Sequence, residues 1–190
     1  DKNLEIKETN FENLTGCLTI VDSNFKNIEI FANNLLCEDS VHFIRSSGNI
    51  KKIDINSSYS DAIDSDFSKI KFEKIFVNTA QNDCLDLSYG SYVIEEAFLD
   101  NCKDKSISIG EKSNVDIGSV EISNSNFGIV SKDGSKTFLE QGSFLNTRVC
   151  LSVYNKKQEF DGSIIRYKDI NCDSKKIFDV QNGSKIIKIN

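Results

Sequence analysis

The sequence predicts an all-β solenoid: a right-handed parallel β-helix of about eight coils, each of roughly 22 residues. Three observations predict it. Ile63, Leu85, Ile107, Ile129 and Leu151 follow one another at intervals of 22 positions, and Phe43 and Ile20 continue the series upstream at 20 and 23. Between them runs a second pattern, in which apolar residues are separated by two residues and then by one. Its copies are Phe25/Ile28/Ile30, Ile50/Ile53/Ile55, Phe72/Ile75/Val77, Ile94/Ala97/Leu99, Ile117/Val120/Ile122 and Tyr167/Ile170/Cys172, with a weaker one at Leu139/Gly142/Phe144. Finally, the repeating positions favour Ile, Val, Phe and Tyr, which suit a pleated surface, and Pro is absent, which suits uninterrupted ladders.

A leucine-rich repeat has a comparable period. It would use Leu at the repeating positions and place a helix or short turn of helix opposite the strand, and neither is visible. A left-handed hexapeptide helix needs a six-residue period, which is not seen. At one strand spacing per coil, the predicted solenoid is roughly 35–40 Å long.

Taken in order, the segment Asp1–Leu14 is polar and mixed, and is expected to cap one end. The strands then alternate with period two, as in Ile70, Phe72, Ile75 and Val77. The extra residue at Glu73–Lys74 shifts the inward phase. Either one strand bends there or two short strands meet at a corner. Turn residues collect at Tyr89–Ser91, Ser123–Asn126 and Lys132–Ser135. Asn78, Asn124 and Asn146 close successive strands and suggest an internal asparagine ladder. Tyr154–Gly162 is the one connection long enough to rise as a wall. The last segment, Lys185–Asn190, is strand-like to its end and has no polar cap, so further chain or an end-to-end contact at that coil is expected. The chain starts at Asp1 and lacks Met. It is read as one β-helix domain, 1–190, from a longer protein.

Composition narrows the functional classes. Hydrophobic residues make up 38%, which fits a core one side-chain layer thick. No apolar run is long enough for a membrane span, and no signal peptide is visible. The formal net charge is −6 and the basic residues are scattered, without the basic stripe of a nucleic-acid binder. None of the six cysteines forms a close C-x-x-C pair, which disfavours zinc. Cys84 and Cys150 share a repeat position three coils apart, about 14 Å, too far for a bridge. Buried free thiols filling the core are expected. The alternative, a disulfide such as Cys84–Cys102, requires the two thiols to face each other across one coil.

Stacking turns repeat positions into columns. With Ile63 and its equivalents pointing inward, Asp64, Asp86, Ser108, Val130 and Ser152 are expected to face solvent. Asp66, Ser88, Gly110, Lys132 and Tyr154 lie two positions further on, and Asp61 and Asp83 precede their strands. The result is an acidic patch of Asp61, Asp64, Asp66, Asp83 and Asp86, beside a Lys/Tyr patch of Lys105, Lys132, Tyr154 and Lys156. Asp64 and Asp86 would stand about 5 Å apart on adjacent coils. Such repulsion has three outcomes: screening by water and lysines, relief by a cation such as Ca²⁺ at Asp64 and Asp86, or one carboxyl held protonated as a general acid. His42 has no evident Asp partner in its register and reads as a packed or surface residue. The matches to glycosylation acceptors at Asn13, Asn56 and Asn182 arise easily in a chain this rich in Asn and Ser.

The stretches Ser60–Ser68, Asn82–Ser88, Asp104–Ser113, Gly128–Ser135 and Leu151–Lys157 resemble right-handed β-helix regions of bacterial surface or exported proteins. Some of those regions accompany a spore-coat-H-like kinase domain. The resemblance covers roughly 60–161 and implies the pectate-lyase-like superfamily, whose members bind or cleave polysaccharides along a lateral groove. It carries no catalytic residue set onto this chain, which lacks arginine in the acidic patch and the D-P-H-D motif of alginate epimerases. The function expected is a non-catalytic extracellular or cell-surface module that presents a lateral surface to glycan or protein. The alternative is a polysaccharide lyase, hydrolase or epimerase that uses the stacked aspartates, with Lys105, Lys132 or Tyr154 assisting.

Overall fold

The computed structural model describes residues 14–174, 176–181 and 183–190. All but the last residue of the predicted N-terminal cap, and the acceptor positions Asn13 and Asn182, lie outside the described residues. Sixteen strands and their turns make up the fold, without a helix among the described residues. The odd-numbered strands are β1 (Gly16–Val21), β3 (Asp39–Ile44), β5 (Asp61–Asp66), β7 (Leu85–Ser88), β9 (Lys105–Gly110), β11 (Phe127–Lys132), β13 (Val149–Tyr154) and β15 (Lys176–Val180). They pair in that order in one parallel sheet. The even-numbered strands are β2 (Asn24–Ala32), β4 (Ser47–Ile55), β6 (Lys69–Val77), β8 (Ser91–Asp100), β10 (Asn114–Ser123), β12 (Lys136–Leu145), β14 (Ile164–Asp173) and β16 (Lys185–Lys188). They form a second parallel sheet in the same way. Successive strands therefore alternate between sheets, and each coil stacks on the one before it. This is the predicted parallel β-solenoid.

The core follows the repeat. Ile63, Leu85, Ile107, Ile129 and Leu151 are neighbours in register and fully buried. Upstream, the register differs from the expectation. Ile63 pairs with Val41, not Phe43, while Phe43 pairs with Ser65 and Ile20 with Phe43. Phe43 and Ile20 therefore belong to the next inward column, and the intervals of 20 and 23 joined two different columns. In the second sheet, the triplets from Ile50/Ile53/Ile55 onward align as predicted, and each 73–74-type step is accommodated inside one continuous strand. The first copy is displaced: Ile28, Ile30 and Ala32 face Ile50, Ile53 and Ile55, and Phe25 faces Gly48, with a bulge near Lys26–Glu29. The weak copy has a steric cause. A Cβ on Gly142 would stand 2.8 Å from the Phe144 ring, so the glycine makes room for the larger side chain.

Corners are built from side chains with unusual backbone angles. Asp22, Arg45, Phe67, Tyr89, Glu111 and Asp133 each follow a short strand with φ between 46° and 57°. That region is uncommon outside glycine and disfavoured for bulky residues, so the neighbouring coils must impose it. The ladder runs straight through the turn: the Arg45 N–H donates to Asp66 O and the Phe67 N–H to Ser88 O, both at 3.0 Å. Just inside these corners lies a buried serine ladder. Ser46 N–H donates to Ser68 Oγ at 3.0 Å, Gly90 N–H to Ser113 Oγ at 3.2 Å and Ser163 N–H to Ser184 Oγ at 3.0 Å. The asparagine ladder exists, but on the surface. Asn78 donates to Asn56 at 3.0 Å and Asn146 to Asn124 at 2.8 Å, all of them exposed. The two ladders occupy different corners: the exposed asparagines follow even-numbered strands, and the buried serines follow odd-numbered ones.

The cysteines correct the expectation of free thiols. Cys17–Cys37, Cys84–Cys102 and Cys150–Cys172 are disulfides, and none among the described residues is free. Each links positions 18 to 22 residues apart, about one coil. The solenoid thus brings together thiols that no short sequence spacing announces. At the other end, β16 is an edge strand paired only with β14. Of the predicted final strand, Ile186 and Ile187 lie in β16, while Ile189 follows it and donates its N–H to Tyr167 O at 2.8 Å.

Candidate functional site

The outer face of the odd-numbered sheet collects the predicted polar residues. In one column, Asp64 pairs with Asp86 and Asp86 with Ser108; in the next, Asp66 pairs with Ser88 and Ser88 with Gly110. Lys132 and Tyr154 extend the second column. Asp61 and Asp83 sit where their strands begin. Asp61 Oδ1 accepts the Asp83 N–H at 2.7 Å, and Asp83 Oδ1 accepts the Lys105 N–H at 2.9 Å. These two carboxylates therefore cap strand starts, a structural task that keeps them close to the sheet. Lys105 Nζ lies 3.4 Å from Asp83 and also contacts Asp104.

The face is less open than alternation alone implies. Ser108, Val130 and Ser152, expected in solvent, are buried. Long side chains lying across the sheet account for part of this. Lys132 is only 6% exposed, donates from Nζ to Ser108 Oγ at 2.8 Å and approaches Asp86 at 4.0 Å. Beyond it, Ser88 donates to Glu111 at 2.5 Å, and Lys157 bridges Glu111 at 2.6 Å. The connection 155–163, the long segment after β13, packs here. The Lys156 and Lys157 N–H groups anchor it on Asp133 Oδ1 at 2.7 and 2.8 Å, and Phe160 meets Tyr89 edge-on at 6.3 Å.

His42 is buried, as a packed residue is, but it has the acidic partners that its expected register did not supply. It pairs in register with Asp64. Its Nε2 lies 3.3 Å from Asp64 and 3.2 Å from Asp66, and its Nδ1 lies 3.6 Å from Asp39 and 3.1 Å from Thr15 Oγ1. The 22-residue offset from His42 to Asp64 was visible in the sequence. Aligning Phe43 with Ile63 sets His42 against Ala62 instead and conceals that pairing.

Electrostatics single out the same residues. Burial pushes the Asp64 carboxyl up to about 9, and Asp66, Asp39, Asp86 and Asp61 add to the shift. Burial likewise raises Asp61 to about 7, against the Asp83 N–H bond, and Asp83 to about 6, against the attraction of Lys105. Asp39 is raised by burial, with the Thr15 hydroxyl opposing. For Lys105, burial works against the charge, but Asp83 and Asp104 prevail and raise it. Tyr154 is raised by burial. Asp86 Oδ1 is buried without a hydrogen-bond partner. Asp39, His42 and Asp64 each bring one donor atom within 4.8 Å of the others. An imidazole and two carboxylates suit a divalent ion of the zinc or manganese kind better than Ca²⁺, which prefers an all-oxygen shell. The arrangement can hold a cation, carry a proton on Asp64, or offer a row of acceptors to an external ligand.

No protein-family model, curated protein or solved structure matches this chain.

Proposed function

We propose that the chain is a non-catalytic extracellular β-helix module whose lateral face binds an extended ligand, a glycan or a surface protein. The observation that carries this reading is the outer face of the odd-numbered sheet. There His42, Asp64, Asp86, Asp66, Ser88, Lys132 and Tyr154 stand in two straight columns at strand spacing. A ligand with its own short repeat can meet such columns in register. Three disulfides support an oxidising, extracytoplasmic setting. The resemblance to pectate-lyase-like β-helices of bacterial surface proteins points the same way. At the corner that follows the odd-numbered strands, the turns after β1, β3, β5, β7, β9 and β11 have two or three residues and 155–163 is the long one, while at the opposite corner the connections reach seven residues at 78–84. A face whose first corner is low over most of its length fits a module better than an enzyme gripping its substrate from two sides.

One observation favours a second reading. Asp64, held up at about 9 beside other carboxylates, is a neutral acid at pH 7, as a glycoside hydrolase, lyase or epimerase requires. A glycan array with calcium, with zinc and with chelator tests both readings when followed by product analysis on every hit. Retained, uncleaved glycan that is lost in the Asp64→Asn/Asp86→Asn double variant is the result expected of the module. Released or modified product establishes the enzyme. Binding that survives the double variant unchanged removes this face from the function.

A further inference from the structure

The even-numbered sheet carries a different feature on its outer face. Phe31, Asp54, Phe76, Phe98, Glu121 and Ser143 succeed one another in register along a single column. Within it the chain has already built one ammonium site. Lys52 Nζ lies 5.2 Å from the Phe31 ring centre, 4.9 Å from that of Phe76 and 2.8 Å from Asp54 Oδ2. Phe76 in turn stacks on Phe98 at 5.0 Å, with the rings 6° from parallel. The lysine and Phe98 thus cover the two faces of Phe76.

On the far side of Phe98 the arrangement recurs without its cation. The next residue in the column is Glu121, a carboxylate as Asp54 is, but the position two residues before it is Ser119 instead of a lysine. Glu121 is exposed and forms no ion pair among the described residues. A depression of about 410 Å³ runs along the column from Asp54 and Phe76 past Phe98 and includes this position. Phe98 and Leu145 wall it, Ser123 and Ser143 line it, and Asp100 and Glu121 supply negative charge. Asp100 is held in place by hydrogen bonds from Ser123 at 2.5 Å and Asn124 at 2.7 Å.

We propose that this depression receives the side-chain ammonium of a lysine presented by a partner protein. A ring face attracts a cation through its quadrupole, and a carboxylate at the same spot adds charge complementarity. The lysine stem is long and flexible, so it can bring the ammonium over the ring from the flank, as Lys52 does over Phe76. An amino sugar carries its ammonium directly on a rigid ring and lacks that reach. The site lies on the other sheet from the carboxylate columns, so it goes beyond the lateral-face reading and stands or falls separately.

The test is a titration of the ¹⁵N-labelled protein with Nα-acetyl-lysine methylamide, followed by amide chemical shifts. Three probes serve as comparisons: the Nε-acetylated form, glucosamine, and the lysine probe in raised salt. The expected result is saturable movement of Phe98, Asp100, Glu121 and Ser143 amides in the millimolar range, absent with the Nε-acetylated probe and weakened by salt. Glu121→Gln and Phe98→Leu should each weaken binding about three- to fivefold, with the rest of the spectrum unchanged. Three outcomes would overturn the proposal: equal shifts with the neutral probe, shifts confined to the His42 and Asp64 face, or no loss in Glu121→Gln. Tighter binding of glucosamine than of the lysine probe would assign the depression to an amino sugar instead.

Discussion

Ile107 stands between Leu85 and Ile129 in the most regular inward column, with no exposure. Ile107→Asp would bury a charge among apolar neighbours that cannot pair with it. We expect a loss of about 4 kcal/mol or more, read from denaturant melts; an unchanged midpoint would mean the column is not the core. This column was legible because its residues are large, apolar and evenly spaced. His42 was not, since Val41 and Phe43 are both apolar and inward, and aligning Phe43 with Ile63 in place of Val41 shifts the count by two and sets His42 opposite the wrong partner. Asp64 makes a second prediction. Its carboxyl ionises near 3.8 in the unfolded chain and near 9 in the fold. Between those values the unfolded chain has lost a proton that the fold retains, so stability falls as pH rises through that window. The slope is at most about 1.4 kcal/mol per pH unit for one carboxyl. Asp64→Asn should flatten it, whereas the same slope in both proteins would mean that Asp64 is not the group responsible.

At the scale of elements, the repeat fixed strands well and corners poorly. Strands announce themselves through alternation, because one face must be apolar. Corners depend on φ values and on which small polar side chain fits inside, and hydrophobic pattern is silent on both. Phe67 and Tyr89 illustrate this. Nothing in an aromatic residue suggests a left-handed corner, yet both adopt one and stack at 4.6 Å. The serine ladder was missed for the same reason, since Ser occurs throughout the chain. It is open to test at Ser68. This hydroxyl accepts the buried Ser46 N–H at 3.0 Å and donates to Asp66 O at 2.8 Å. Ser68→Ala leaves that N–H without its acceptor and should cost about 1–3 kcal/mol. Asn78→Ala, in the exposed ladder, should cost well under 1 kcal/mol by comparison. Equal losses in the two variants would show that the inner ladder has no special weight.

For the whole molecule, each coil touches only its neighbours, so stability is close to a sum of coil and interface terms. The disulfides act on that sum unevenly. Cys17–Cys37 ties the first described coil to the second, Cys84–Cys102 staples the middle, and Cys150–Cys172 joins β13 to β14 near the other end. A loop of about 20 residues implies roughly 3 kcal/mol for each bridge. The middle coils have a filled core on both sides: Phe72, Ile94 and Ile117 are all buried there. The last coils do not, for Ile177, Phe178 and Val180 are 38–50% exposed. Opening the bridges should therefore release the ends while the centre holds. Hydrogen exchange with and without reductant would read this directly. Protection in β1, β2 and β14 to β16 is expected to fall first, with β6 to β10 retaining theirs. A chain that lost protection everywhere at once would behave as one cooperative block, and nearest-neighbour stacking would then be the wrong description of what holds it together.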